Sequence, residues 1–172
     1  MAVLAKPKIL ELIRSGKLKI EPFNDKLIGA ASIDLRLGSD FRVFKKVHDI
    51  FHVTDDVDYN KITETVRVRP GGHILIMPGE LVHGITIERI TLPVDLAAFI
   101  EGRSSLARVG LLTHLSSGFV HPGTSNRTVL EIANISPIPL AIKPGTKICQ
   151  LILVDVVGEA KYAGRFAKQV RP

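Results

Sequence analysis

From residue 31 onward, apolar and polar residues alternate in short runs. "ASIDLRLG" puts Ile33, Leu35 and Leu37 on one side and Asp34 and Arg36 on the other, the period of a half-buried strand. "TVRVR", "HILIM", "LVHGITIERITL", "DLAAFI", "TVLEIANI", "LAIK" and "KICQLILVDVV" are similar, short and rich in Val, Ile, Leu and Thr. The spacing differs only near the start. There Ile9, Leu10, Leu12 and Ile13 predict one amphipathic helix, with Gly16 as its stop. Pro-Gly pairs recur at 70–71, 78–79, 122–123 and 144–145. Proline presets φ for the first central turn residue, and glycine supplies the positive φ of the second. Short strands separated by such turns predict an all-β barrel or sandwich. Residues 45–64 are the most polar stretch and read as a surface excursion. The segment 1–20 reads as a helical arm, and 160–172 loses the strand pattern and reads as a tail. The 172 residues fit one domain, with a core large enough to hold it together.

Charge narrows the partners. The net charge of +6 suits an anionic ligand or nucleic acid. The cations are scattered and aromatics are only 5 % of residues, which argues against a nucleic-acid platform. Cys149 stands alone, so no internal disulfide is expected, and a reducing, cytoplasmic setting follows. It reads as a small core residue rather than a nucleophile. No apolar run approaches the ~20 residues of a membrane span, and no secretory signal is expected. His48, His52, His73 and His83 lack a ligand spacing, so no metal site is expected.

Two places stand out chemically. "GRSSLAR", Gly102 to Arg108, follows an apolar strand with a turn, two hydroxyls and two guanidinium groups. Ser104 or Ser105 can cap a short helix running through Leu106, Ala107 and Val109, and Arg103 beside free N–H groups suits an anion. Arg108, four residues after Ser104, can share its helix face. The plainer reading is a capped helix with surface arginines. Glu131 interrupts the apolar strand "RTVLEIANI", with Val129, Ala133 and Ile135 on its own face and Leu130 and Ile132 on the other. Both faces look buried, so this carboxylate should be paired, hydrogen-bonded or raised in pKa. A raised carboxyl suits general acid–base work; the plainer alternative is a structural pair with Arg108 or Arg127.

These residues together resemble the dCTP deaminases of the trimeric dUTPase superfamily. The resemblance rests on "GRSSLAR", "GLLTHLSSGFVHPG", "VLE", "ASIDLRLG", "PGTKICQLIL" and the tail "GRFAKQ". It implies a distorted β-barrel or jelly roll of the dUTPase-like type, forming a homotrimer with active sites between subunits. It also implies hydrolytic, zinc-independent removal of ammonia from C4 of dCTP, giving dUTP, in the synthesis of dTTP precursors. By that resemblance Glu131 activates the attacking water, and Ser104 and Arg108 position the water and the base. Arg103, Ser104 and Ser105 hold phosphate, Leu106 and Ala107 shape the same turn, and the backbone of Val129, Leu130 and Glu131 meets the pyrimidine. Ser117 and His121 flank the base and sugar. Tyr162, Arg165 and Gln169 close over the triphosphate, which carries Mg2+ held by phosphate oxygens and water. No nucleic acid or membrane is implied.

Some positions depart from the family pattern. His121 stands where members usually carry Asp, and a neutral imidazole is a weaker base than that carboxylate. Efficient dUTP diphosphatase activity is therefore not expected. Ser117 replaces a frequent Ala, and Thr124 to Asn126 replace an aromatic-x-Gly. His114 matches a family position and reads as a structural histidine. The competing readings are a bifunctional deaminase–diphosphatase or a dUTPase, and a non-catalytic nucleotide-binding relative.

Overall fold

The alternation that starts at Ile33 becomes the first part of a long strand, with Ile33, Leu35 and Leu37 wholly buried. The computed structural model describes residues 2–46, 49–167 and 169–172. Among these, the strands are β1 (Lys19–Glu21), β2 (Ile33–Phe44), β3 (Thr63–Arg67), β4 (Ile74–Ile76), β5 (Leu81–Thr91) and β6 (Leu96–Gly102). They continue with β7 (Leu111–Thr113), β8 (Phe119–Val120), β9 (Ser125–Asn134), β10 (Leu140–Ile142) and β11 (Lys147–Asp155). Two α-helices complete the set, α1 (Lys6–Arg14) and α2 (Ser104–Ala107).

Nine strands form one antiparallel sheet in the order β7-β9-β5-β2-β11-β6-β8, with β1 added beside β5 and β3 beside β2. β4 and β10 pair separately. The sheet curls into a half-barrel, in keeping with the all-β barrel expected from the sequence. Its concave side is filled by Leu35, Leu37, Phe41, Ile90, Leu130, Ile132, Ile148 and Leu151. Each such side chain contributes ~1.5–3 kcal/mol by leaving water. Ile9 and Leu12 of α1 join the same core, so the helix is seated on the barrel, and Leu4 N–H donates to Leu153 O. Cys149 is buried, and burial pushes its thiol pKa up. All four Pro-Gly turns have their glycine at positive φ: 81°, 79°, 71° and 89° at Gly71, Gly79, Gly123 and Gly145.

Two breaks in register fall close together along β5. β2 shifts against β5 between Leu37 and Phe41, and β5 shifts against β9 between Ile85 and Arg89. At this double irregularity sits Glu88, whose side chain is 0 % exposed. Its Oε2 accepts from Arg36 N–H at 2.7 Å and its Oε1 from Arg36 Nε at 2.6 Å. Thr86 Oγ1 donates to Glu88 O and accepts from Thr128 N–H, while Arg127 Nε donates to Thr86 O. Backbone groups freed by the bulges thus find side-chain partners across three strands.

Two sequence expectations change here. Ile135, placed on a buried face, is 66 % exposed, because β9 ends at Asn134. The 45–64 excursion is irregular and largely exposed over 49–58 but ends in structure: Tyr59–Lys61 form a 3-10 turn and Thr63 opens β3.

Replacing Glu88 by Leu should lower the unfolding free energy by about 3–5 kcal/mol, since it strips the partner from Arg36 and frees backbone donors inside the sheet. Urea titration checks this; a loss under about 1 kcal/mol would show that the bulge holds without its carboxylate.

Candidate active site

β9 alternates one wholly buried side with one half-open side. Leu130 and Ile132 enter the core, while Val129, Glu131 and Ala133 face outward at intermediate exposure. Glu131 is therefore half-buried rather than sealed between two apolar faces, with 31 % of its side chain exposed. It looks into a cavity of about 380 Å³.

The partner of Glu131 is neither Arg108 nor Arg127 but His114, the residue just past β7. His114 N–H donates to Glu131 O at 2.7 Å, and its backbone adopts φ 63°, in the left-handed region that a histidine seldom visits. This bend brings its ring back over β9. Nδ1 then lies 2.9 Å from Glu131 Oε2, too poorly aligned for a hydrogen bond, and neither atom has another partner. Nε2 lies 2.6 Å from the Ser117 carbonyl and must donate to it, because a carbonyl cannot. Nδ1 would then oppose an anionic oxygen with its own lone pair unless a proton lies between them. The contact is therefore a charge pair, imidazolium against carboxylate, close but without hydrogen-bond alignment.

The titration tendencies agree. Burial works against charge on His114, but contact with the Glu131 carboxylate, its charge and the Ser117 carbonyl together raise the pKa above 6.5. Burial also works to raise Glu131, yet His114 contact and charge, its own backbone and His83 bring it below 4.5. Of the outcomes left open by the sequence, pairing holds and the raised pKa does not, because an imidazolium supplies what the strand's apolar neighbours withhold.

The edge of β9 facing the cavity is open at one place. Arg127 N–H donates to Gln169 O, Ser125 N–H to Ala167 O, and Glu131 O accepts from His114. Backbone groups alternate edges along a strand, so the N–H and C=O of Val129 point to this same edge, between the tail and β7. Leu130 offers the cavity no side chain, since it lies in the core.

The tail follows β9 and helps wall the cavity with Tyr162, Phe166 and Gln169. Asn126 Nδ2 donates to Phe166 O, and Tyr162 N–H to Pro122 O. Tyr162 stacks on His121 at 4.9 Å and 10° between ring planes, while Phe119 meets His121 edge-on at 4.8 Å. Ser117 also borders the cavity. Arg165 does not: its Nη1 donates to Val57 O at 3.4 Å on the exterior. Tyr59 and His83 were missed as wall residues. Tyr59 sits in the stretch read as a loop, and His83 looked like an unspaced histidine. His52 and His73 are exposed, and His48 lies outside the described residues.

The 103–108 turn opens elsewhere. Arg103 is the residue before α2 and makes no side-chain cap; Ser104 and Ser105 are the first helical residues, and Arg108 follows the last. The expected serine cap is thus absent: neither serine stands at the cap position, and no side chain caps the helix. α2 stops before Val109. Arg103 Nε lies 3.3 Å from Asp34 Oδ1, and its Nη1 donates to Lys147 O. Arg103, Ser104 and Ala107 border a second hollow of about 450 Å³, with Leu106 packed against the core. Ser105 and Arg108 are exposed. Among the described residues only His114 borders both hollows. Glu131 and the Ser104–Arg108 group, expected to act together, are not brought together within one chain.

The pair at Glu131 has a pH signature. His114 titrates above 6.5, so its stabilisation is full below 6.5 and is lost as pH rises through the raised value. Glu131 titrates below 4.5, so its stabilisation is present above 4.5 and is lost as pH falls through the lowered value. Asparagine tolerates the backbone of residue 114. The thermal midpoint of His114→Asn should therefore fall furthest below wild type between these two values and converge with it above and below. A gap that stays constant with pH would speak against a charge pair.

Comparison with other proteins places this architecture. A sequence model of the family described as dCTP deaminase-like matches residues 3–156. A relative from Mycobacterium sp. (strain KMS), named "dCTP deaminase, dUMP-forming", is 41 % identical over 156 residues, covering 91 % of this chain and 82 % of its own. One of the same name from Parafrankia sp. (strain EAN1pec) is 40 % identical over 167 residues, covering 93 % and 83 %. The 2'-deoxycytidine 5'-triphosphate deaminase of Agrobacterium tumefaciens has a similar fold, with a TM-score of 0.68 at 23 % identity over 88 % of this chain. That alignment spans 47 % of the Agrobacterium chain, about half its length. The EIAV dUTPase shares the fold at a TM-score of 0.51 and 18 % identity, over 86 % of this chain and 93 % of its own. This chain belongs to the dCTP deaminase-like family.

Proposed function

We propose that this protein hydrolytically removes the C4 amino group of the cytosine of dCTP. The observation that carries the reading is the Glu131–His114 pair on the wall of a cavity of nucleoside size, beside the open backbone edge at Val129. The family match and the names of the relatives support it.

The chemistry needs little more than proton transfer and charge stabilisation. Water attacks C4, losing a proton to Glu131, and the ring nitrogen N3 gains one; a second transfer lets the amino group leave as ammonia. One carboxylate can carry these protons in turn. His114 tunes it: the charge of its imidazolium holds the carboxylate ionised and oriented, so that it starts the cycle as a base. The backbone N–H and C=O of Val129 match the donor and acceptor pattern of a pyrimidine edge. Ser104 and Arg108 take their roles beside water and base from a neighbouring copy, in a homotrimer whose active sites lie between subunits. Arg103 and Ser105 would meet phosphate there, though Arg103 must share itself with Asp34. Tyr162, Gln169 and, after movement, Arg165 close the tail over the triphosphate. Mg2+ arrives with the nucleotide as part of the substrate, and the reaction as proposed uses no zinc. A cytoplasmic site of action fits a lone, buried thiol.

On our reading the product is dUTP. His121 is clamped between Tyr162 and Phe119, which ill suits it to activate water at phosphorus. A second reading, dUMP and pyrophosphate as products, is favoured by the names of the relatives.

Incubating the protein with dCTP and Mg2+, and measuring ammonia, dUTP, dUMP and pyrophosphate, separates them. Ammonia with dUTP alone supports the first reading, and pyrophosphate matching ammonia supports the second. Tight dCTP binding without ammonia would make the protein a non-catalytic binder. Glu131→Gln should slow ammonia release about 10²–10⁴-fold while still binding dCTP; undiminished turnover would refute the role of Glu131.

A further inference from the structure

One face of the sheet carries a continuous row of ionisable side chains across three adjacent strands and the residue that follows a fourth. Arg42 on β2 is registered opposite His83 on β5, and His83 is registered opposite Glu131 on β9. His114, following β7, completes the row through its contact with Glu131. Directly opposed residues project to the same face, so the order is cation, imidazole, carboxylate, imidazole.

The outer cation is held away from the carboxylate. Arg42 Nε donates to Pro172 O at 2.7 Å and its Nη1 to Thr63 Oγ1 at 3.2 Å, while its guanidinium lies over the Tyr59 ring at 5.4 Å. His83 fills the gap. Its ring is fixed edge-on by Phe44 at 5.5 Å and by Tyr59 at 5.8 Å, and it borders the cavity beside Glu131.

We propose that His83 is a positioning residue for Glu131, an uncharged spacer that keeps cationic charge off the carboxylate so that it remains free to accept a proton. The inference rests on Glu131 acting as that acceptor. Once His83 is protonated, Glu131 lies between two imidazolium rings and loses its basicity. The groups facing His83 are Arg42 and Phe44 from β2, Glu131 from β9 and Tyr59 from the 59–61 turn, with His114 beyond Glu131. Burial first, and Arg42, oppose charge on His83, outweighing Glu131, which favours it; the result is a pKa below 6.5. The spacer is therefore neutral at neutral pH and charges as pH falls.

The test has two arms. In the first, kcat and KM for dCTP are followed against pH for wild type and His83→Asn, after thermal unfolding shows both folded. The acid limb of kcat should move to lower pH in the variant with KM little changed. One unit below the wild-type midpoint the variant should retain about tenfold more of its plateau rate. Superimposed acid limbs would overturn the inference. In the second, imidazole NMR signals are titrated in wild type and Glu131→Gln without nucleotide. The His83 midpoint should fall further when the carboxylate charge is removed, and an unmoved midpoint would overturn the inference whatever the turnover. Absence of ammonia from wild type would instead refute the deaminase reading, and the NMR arm would still decide the coupling.

Discussion

A fully buried carboxylate fixes the shape of this sheet. Removing Glu88 from water costs far more than any apolar contact returns unless each oxygen is matched, and Arg36 matches both, one through its backbone and one through its guanidinium. The match is made where β5 is out of step with its neighbours, so the ion pair and the irregularity occupy the same point of the sheet. Thr86 extends the lock to β9 by taking the Thr128 N–H on its hydroxyl and the Arg127 guanidinium on its carbonyl. Three strands are pinned at the point where the sheet bends, so the register of β9 beyond the bend follows.

That register determines the chemistry. Once Val129 is opposite Ile85, Glu131 must be opposite His83, and Arg42 opposite His83 on its other side. The row of charges is thus a consequence of strand alignment, not of a loop that happens to bring groups together. Only its last member needs a special backbone: His114 reaches Glu131 by turning through positive φ. A strained residue held by a backbone hydrogen bond on one side and a carbonyl contact on the other has little freedom to swing away. The carboxylate is consequently oriented before any ligand arrives.

Much of the barrel was readable from residue order because strand alternation and Pro-Gly punctuation are local signals. The strand from Ile33, α1 and all four turn glycines follow directly from such patterns. β1, β7 and β8 span only two or three residues and exist through pairing with distant strands, which no local pattern encodes. Glu131 was legible as an acid in an apolar run, but Glu88 sits in an equally apolar run, "ITIERIT", and passed unnoticed. Nothing in either run tells which carboxylate meets a guanidinium in the core and which meets an imidazole at a cavity. That Glu131 should find a partner was legible, but not which one. Burial was visible in the neighbours, whereas the compensating cation, 17 positions away, depended on the bend at residue 114.

The separation of the two chemical centres is itself informative. Glu131 and the 103–108 turn open onto different hollows, and His114 stands between them. Under the proposed reaction, a single copy holds a base without the guanidinium that would stabilise negative charge on the ring, and a guanidinium without a base. A second copy presenting its turn to the Glu131 cavity supplies the missing half. It also changes the environment of the pair, because a cation brought beside Glu131 lowers the carboxyl pKa further and so costs it basicity. Assembly would thus do more than complete a pocket. It would set how basic Glu131 is, so any further cation beside it, a charged His83 included, weighs against proton transfer from water.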